Sequence, residues 1–92
     1  LFIAKADGDH PISVVDVGCG AGLFYAYLMW YHPSKMAAGA VRYAGIDISP
    51  KMVAAAHKRH PNVQFEARNV IADPLPSACY DFAVMNGVLT VK

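Results

Sequence analysis

The stretch that most constrains this chain runs from Val14 to Gly22, where an apolar, β-branched segment is followed by glycine at alternate positions. The apolar segment predicts a buried strand, and the residues from Leu23 onwards predict a helix. Glycines at 18, 20 and 22 permit a sharp turn and leave no Cβ to hold a ligand away from the backbone. Free N–H groups at the helix start can then face a polar or anionic group. Alone, the stretch also fits any glycine-rich strand–turn–helix connection.

Strands and helices alternate along the chain. We predict four strands and two helices, with strands at 13–17, 41–48, 62–67 and 80–87 and helices at 22–32 and 50–59. Pro33 is expected to end the first helix, and Ser49-Pro50 is a strong helix start. The remaining segments 1–11, 34–40 and 69–78 are expected to be connections, and 88–92 to leave the last strand. This alternation predicts βαβ units and a parallel sheet in an α/β fold.

The composition indicates one small domain, and its charge gives no sign of a highly charged binding partner. The 92 residues are 55% hydrophobic and 16% charged, with a net charge of +1. Such a chain is too apolar to be disordered, and its charge gives no sign of binding to nucleic acid or to an anionic membrane. No apolar run is long enough for a membrane span. Cys19 and Cys79 lack metal-ligand spacing, so we expect reduced thiols, a cytoplasmic protein and no metal.

Asp47 ends the second predicted strand, after the glycine-rich turn. In a parallel sheet, ligands bind beyond the carboxyl ends of the strands, and a carboxylate there can accept hydrogen bonds from ribose hydroxyls. An acidic residue is also favoured at a helix start for its interaction with the helix dipole. Both roles are open to Asp47, and its position after a glycine turn favours the ribose role.

Three segments together resemble the class I S-adenosylmethionine-dependent methyltransferases. They are Asp16 to Gly22, Tyr43 to Ser49 and Tyr80 to Asn86, and the resemblance extends from residue 13 to about 90. It implies the N-terminal, cofactor-binding part of a Rossmann-like domain that moves a methyl group from S-adenosylmethionine to an acceptor, leaving S-adenosylhomocysteine. The acceptor is not identified by the sequence, and no catalytic residue can be named.

The resemblance also implies roles for particular residues. Gly18, Gly20 and Gly22 would let the backbone approach the methionine part of the cofactor. Asp16 would fix that turn and the cofactor's ammonium group, and Asp47 would hold the ribose. Cys19 lies within the turn, where a small residue is needed.

The adenine end of the site is implied less completely. Ile48 would pack on the adenine face. The family usually has Gly-Asp after the third strand, where this chain has Arg68-Asn69. The Asn69 amide oxygen can still accept from the adenine amino group, and the Val70 N–H can reach the ring. Asn86 would line the cleft between cofactor and substrate. A simple loop or turn role for either asparagine stays open.

Two alternative functions remain. The fold could persist as a cofactor-binding or scaffold module without catalysis. The interpretation as an NAD-binding Rossmann domain is weakened, because the third glycine of the dinucleotide-binding fingerprint would fall at Leu23.

The resemblance finally implies that residues 1–92 are part of a longer domain. The family sheet has seven strands in the order 3-2-1-4-5-7-6, and only the first four are recognised here, as 3-2-1-4. The fourth strand would then be an exposed edge, although Phe82 to Met85 is apolar on both faces and carries none of the charges or prolines that protect natural edges. We therefore expect self-association through that strand.

Overall fold

A computed structural model describes residues 2–75, 79–85 and 88–91. After a 3₁₀ turn at Phe2–Lys5, the chain forms five strands and three helices. The strands are β1 (Ile12–Val17), β2 (Val41–Asp47), β3 (Gln64–Ala67), β4 (Phe82–Met85) and β5 (Val88–Val91). The helices are α1 (Leu23–Tyr31), α2 (Pro33–Ala37) and α3 (Pro50–Arg59).

The strands form one sheet in the order β3-β2-β1-β4-β5. β1 to β4 are all parallel to their neighbours, so the predicted α/β, Rossmann-like arrangement with strand order 3-2-1-4 is confirmed. Asp16 of β1 lies opposite Gly45 of β2, and Gly45 lies opposite Phe65 of β3. Because all four strands run the same way, their carboxyl ends meet at one edge of the sheet.

The fifth strand corrects the prediction for the end of the chain. Residues 88–92 were expected only to leave the fourth strand, but β5 within them pairs antiparallel with β4, with Met85 opposite Val88. β4 therefore has partners on both sides, and the prediction that it forms an exposed edge is wrong. The terminal strands of the described sheet are β3 and β5. Self-association through an unpaired β4 thus loses its structural basis.

The helices α1 and α3 pack on the same face of the sheet. Leu28 of α1 is fully buried in a cluster with Val14 and Val84, and Ala56 of α3 packs with Phe65. Val15, Ile46 and Ala83 form a separate cluster on the opposite face, since side chains alternate along each strand. Partly buried Val70, Leu75 and Tyr80 cover that second cluster.

The first helical region differs from its prediction. Pro33 was expected only to stop a helix, but it opens α2 as its first residue, where its missing N–H costs nothing. Leu28 is the buried residue of α1. Tyr27, Trp30 and Tyr31 of the same helix are exposed, Trp30 to 79%. The predicted helix is right in place and type, but much of its apolar surface is uncovered.

The start of α3 follows the prediction closely. Ser49 is its N-cap, and the Ser49 hydroxyl accepts from the Met52 N–H at 3.3 Å. β3 and β4 are each shorter than predicted, beginning at Gln64 and Phe82. Within the described residues, no helix is long and apolar enough to cross a membrane.

Candidate functional site

The loop after β1 carries three glycines in the left-handed region of backbone conformation. Their φ values are 77° at Gly18, 56° at Gly20 and 90° at Gly22, a backbone conformation that residues other than glycine rarely adopt. The N–H groups of Gly18 and Cys19 donate to the Ile46 carbonyl at 2.8 and 3.0 Å. This glycine loop, residues 18–22, is therefore anchored to β2, and Gly22 is the N-cap of α1.

Asp47 joins the glycine loop to the start of α3. Its Oδ2 accepts from the Gly20 N–H at 2.9 Å, and its Oδ1 accepts from the Ser49 N–H at 2.9 Å. Each carboxylate oxygen has a further lone pair, so the half-buried group retains capacity for ligand hydroxyls. Both roles foreseen for Asp47, helix start and ligand acceptor, are compatible with this geometry.

Asp16 is the buried carboxylate of the site, with 3% of its surface exposed. The Tyr43 hydroxyl donates to Asp16 Oδ2 at 2.6 Å. Burial raises the pKa of Asp16 above its usual value, the Tyr43 hydrogen bond opposes that rise, and the nearby Asp47 charge adds to it. Tyr43 belongs to one of the three motif segments, but the sequence gives no sign of this bond.

Cys19 turns its side chain towards the protein interior. It is buried in a cluster with Ala56 and Phe65, and its thiol donates to the Gly20 carbonyl at 3.6 Å. Burial, and then the charges of Asp16 and Asp47, raise the pKa of Cys19 to about 11. The thiol is therefore neutral at physiological pH and serves as a small packing group beneath the loop.

A cleft of about 360 Å³ opens beside the glycine loop, at the carboxyl ends of β1, β2 and β3. Five predicted site residues and four others line it: Gly18, Asp47, Ile48, Asn69 and Val70, with Val17, Ile46, Arg68 and Ile71. Asp16 on β1 and Cys19, Gly20 and Gly22 in the glycine loop are not among its lining residues. Asn86, the remaining predicted residue, lies outside the described residues. The cleft volume falls in the range of small-molecule sites.

Asn69 caps the turn that closes the far side of the cleft. Its Oδ1 accepts from the N–H groups of Ile71 and Ala72 at 3.1 and 3.4 Å, and its carbonyl accepts from the Asp73 N–H at 2.8 Å. The turn role left open for Asn69 is thus present. Its contact with adenine stays a prediction.

Arg68 is a lining residue that the sequence analysis did not assign to the site. Its Nε lies 3.3 Å from a Glu66 carboxylate oxygen and 3.7 Å from an Asp73 oxygen. These ion pairs connect β3 to the turn at 69–73. Carboxylates two residues before and five after an arginine were the available signal, but their approach depends on the turn between them.

A larger cavity, of about 460 Å³, lies between α1 and the connection from α3 to β3. Tyr25, Trp30, His60 and Val63 are among its lining residues, and it contains none of the predicted cofactor-binding residues. We place the functional site in the smaller cleft because Gly18 of the glycine loop, Asp47 and three other predicted site residues line it. Within the described residues, no cluster of three or more His, Cys, Asp or Glu could hold a metal ion.

Comparison with known proteins identifies the family. Residues 14–91 match the family model described as "Methyltransferase domain". The chain therefore belongs to this family of methyltransferase domains. The resemblance drawn from the three sequence segments is confirmed.

Two curated relatives illustrate the similarity. Trans-aconitate 2-methyltransferase of Methylobacterium nodulans is 35% identical over 87 residues, which cover 91% of this chain and 31% of the relative. Demethylmenaquinone methyltransferase of Chlorobaculum parvum is 27% identical over 88 residues, covering 96% of this chain and 33% of the relative. The chain thus spans about a third of the length of these curated relatives.

A solved structure shows the same similarity in three dimensions. The S-adenosylmethionine-dependent methyltransferase of Mesorhizobium loti superposes with a TM-score of 0.63 and 28% identity. The match covers 82% of this chain and 32% of the other.

Proposed function

We propose that this chain binds S-adenosylmethionine and forms the cofactor-binding part of an enzyme that transfers its methyl group to an acceptor. The observation that carries the proposal is the hydrogen bond from Gly20 to Asp47, which brings two motif residues together beside a cleft of suitable size. The relative from Mesorhizobium loti is named as dependent on the same cofactor. The bound cofactor would supply an electrophilic methyl group on a sulfonium centre.

The residues present fit such a ligand. A Cβ built at Gly20 would meet only the Met52 sulfur, at 4.0 Å, among the described residues, so the loop backbone is open to close approach. The glycine loop would hold the methionine part and Asp16 the ammonium group. Asp47 would hold the ribose through its remaining lone pairs.

The adenine would lie in the cleft beyond Asp47. Ile48 is 68% exposed there and offers an apolar surface to the ring. Asn69 and Val70 line the opposite side. The chain's own contribution is to bind and orient the cofactor, since a well-oriented electrophile gains much of its rate from positioning.

We further propose that residues 1–92 are part of a longer catalytic domain, since they span about a third of the curated relatives. The acceptor would then be bound largely outside this chain. A cytoplasmic location is proposed because Cys19 and Cys79 are both free thiols.

Isothermal titration calorimetry with S-adenosylhomocysteine, S-adenosylmethionine and NAD tests cofactor binding. We expect the first two to bind and NAD not to bind. Preference for NAD would overturn the proposal in favour of the dinucleotide alternative. A methyl-transfer assay with radiolabelled cofactor and candidate acceptor pools, on the chain and on a longer form, then separates an enzyme from a silent cofactor-binding module.

A further inference from the structure

Tyr43 occupies a position on β2 that the site's known motifs leave without a role. Side chains of a strand alternate between faces, so Tyr43, Gly45 and Asp47 share one face of β2. Asp16 lies on the same face of β1, directly opposite Gly45. The Tyr43 ring extends over Gly45, and its hydroxyl donates to Asp16 Oδ2 at 2.6 Å.

Gly45 supplies the space for this bond. A Cβ at Gly45 would lie 2.9 Å from the Tyr43 hydroxyl oxygen and 2.6 Å from Cδ1 of Phe65. Both distances are shorter than real Cβ contacts, so a side chain at this position would require both rings to move. Gly45 does not have a positive φ, so the requirement at this glycine is for volume rather than for backbone conformation.

The surrounding rings hold Tyr43 in place. Tyr25 of α1 lies 5.1 Å from the Tyr43 ring and Phe65 of β3 lies 5.9 Å from it, both in tilted or edge geometry. Burial and the adjoining Asp16 carboxylate raise the pKa of Tyr43 well above its usual value. The hydroxyl therefore remains protonated, and so remains a donor, at physiological pH.

We propose that Tyr43 is a positioning residue, which orients the Asp16 carboxylate at the glycine loop and keeps it available to the cofactor's ammonium group. This inference rests on the proposed function, because it takes Asp16 to be the ammonium partner. The hydrogen bond to an ionised acceptor is of the stronger kind, and it favours the charged form of the acceptor.

A dependence of cofactor binding on pH follows. The titratable groups around Asp16 are Tyr43 and Asp47 of β2, Cys19 in the glycine loop, and Tyr25 and His60 behind the Tyr43 ring. Burial and Asp47 favour the neutral form of Asp16, and Tyr43 opposes them. Without the Tyr43 hydroxyl, the pKa of Asp16 should rise further. On acidification, the ammonium group of the ligand would then lose the ionised Asp16 carboxylate at a higher pH.

The first test measures S-adenosylhomocysteine affinity between pH 5 and 8 for the wild-type protein and Tyr43→Phe, which keeps the ring. We expect roughly tenfold weaker binding near neutral pH, the lower end for loss of a hydrogen bond to a charged group. The loss of binding on acidification should also begin at a higher pH. Tyr25→Phe is the matched control, because it removes a hydroxyl from the neighbouring ring, and it should match the wild type. Equal affinities and pH profiles for Tyr43→Phe and the wild type would overturn the proposal.

The second test needs no ligand. Carbon NMR of the Asp16 carboxyl group gives its pKa directly, and Tyr43→Phe should raise that pKa while Tyr25→Phe leaves it unchanged. An unchanged Asp16 pKa in folded Tyr43→Phe would overturn the proposal even where S-adenosylhomocysteine binds. Absence of binding by the wild-type protein would instead overturn the proposed function, with the carboxyl titration still deciding whether Tyr43 controls Asp16.

A third measurement separates positioning from loss of packing. In an Asp16→Asn background, Tyr43→Phe should weaken binding by less than twofold, because the carboxylate on which it acts is gone. A full tenfold loss in that background would show that the Tyr43 hydroxyl acts through the fold, and would contradict the positioning role.

Discussion

The Asp47 carboxylate accepts a hydrogen bond from the Gly20 N–H at 2.9 Å, which joins the end of β2 to the middle of the glycine loop. The second Asp47 oxygen accepts from Ser49, at the start of α3. A single side chain therefore sets the relative position of the loop and of a helix N-terminus. Any ligand group bound by Asp47 would meet a loop that Asp47 itself has positioned.

Replacing Asp47 by alanine should therefore weaken both ligand binding and the fold. Loss of the carboxylate should reduce affinity for S-adenosylhomocysteine about ten- to a hundredfold, on the scale of hydrogen bonds to charged groups. The free energy of unfolding should fall by about 1–3 kcal/mol, because two backbone donors lose their partner. Calorimetry and chemical denaturation measure the two effects.

Ser49→Ala is the control for Asp47→Ala. It removes the α3 cap, and should cost about 1 kcal/mol of stability without removing a ligand group. A folded Asp47→Ala protein with wild-type affinity would show that Asp47 serves the helix start and loop alone.

Gly20→Ala should separate ligand approach from folding. Gly20 has φ 56°, a left-handed conformation that alanine adopts at a cost of about 1 kcal/mol, and the space around its Cβ position is open. The fold should survive, while a methyl group facing the proposed methionine site should weaken cofactor binding by roughly tenfold or more. Gly39→Ala is matched in conformation and open surroundings but lies outside the site, and should leave affinity unchanged. Equal affinity in Gly20→Ala would argue against close approach of the ligand to the loop.

Gly22→Ala should instead damage the fold itself. A Cβ at Gly22 would lie 2.9 Å from His60 Cδ2 and 3.4 Å from Phe65 Cζ, in addition to the cost of φ 90°. We expect a loss of about 2–4 kcal/mol, against about 1–2 kcal/mol for Gly39→Ala, which has the conformational cost without the contacts. Thermal or urea unfolding of both variants measures the difference. Equal losses would mean that His60 moves aside freely.

The two cysteines should differ sharply in reactivity. Cys79 is exposed, whereas Cys19 is buried and its pKa is raised to about 11. In the Cys79→Ser protein, alkylation of Cys19 at pH 8 should be slower than that of Cys79 in Cys19→Ser by roughly a hundredfold or more, because little thiolate is present. Mass spectrometry over time follows both reactions. Comparable rates in the native proteins would show that the loop opens readily.

Much of the sheet could be predicted because its information is local. Alternating apolar runs and glycine or proline breaks indicate βαβ units, and the parallel order 3-2-1-4 agrees with the structure. The cap at Ser49 depends on neighbouring residues alone and was also foreseen. The pairing of β5 with β4 was not predicted, although the sequence Asn86-Gly87 is a dipeptide typical of two-residue hairpins.

The parts of the site that could not be predicted depend on tertiary structure, in one case on the pairing of strands that are distant in sequence and in the other on the path of a turn. The bond from Tyr43 to Asp16 requires the register that places Asp16 opposite Gly45, and the space that Gly45 leaves. The ion pairs of Arg68 require the turn that Asn69 caps. The first feature follows from the pairing of strands and the second from the shape of a turn, and neither is evident from one sequence segment at a time.

Asp16→Asn should maintain or raise stability while reducing cofactor binding. The pKa of Asp16 in the folded protein is raised, chiefly by burial, so the folded state holds a proton more tightly than the unfolded state. The usual pKa of an aspartic acid is about 4. As the pH rises from that value through the raised pKa of folded Asp16, the wild-type protein loses stability, and above the raised pKa this loss is complete. Asparagine can still accept from Tyr43 and carries no charge, so its stability should not fall in that window.

At neutral pH we therefore expect Asp16→Asn to unfold with a free energy equal to that of the wild type or higher, with the two curves converging near pH 4. Affinity for S-adenosylhomocysteine should fall about tenfold or more, since the ammonium group loses a carboxylate. Denaturation across pH 4–8 and calorimetry at pH 7.5 measure these effects, with Asp9→Asn, a change in an exposed carboxylate, as the control. A stabilised variant with reduced affinity would show that the buried charge is kept for binding at the expense of the fold. A variant destabilised by several kcal/mol at neutral pH would show instead that ionised Asp16 is a structural requirement of the loop.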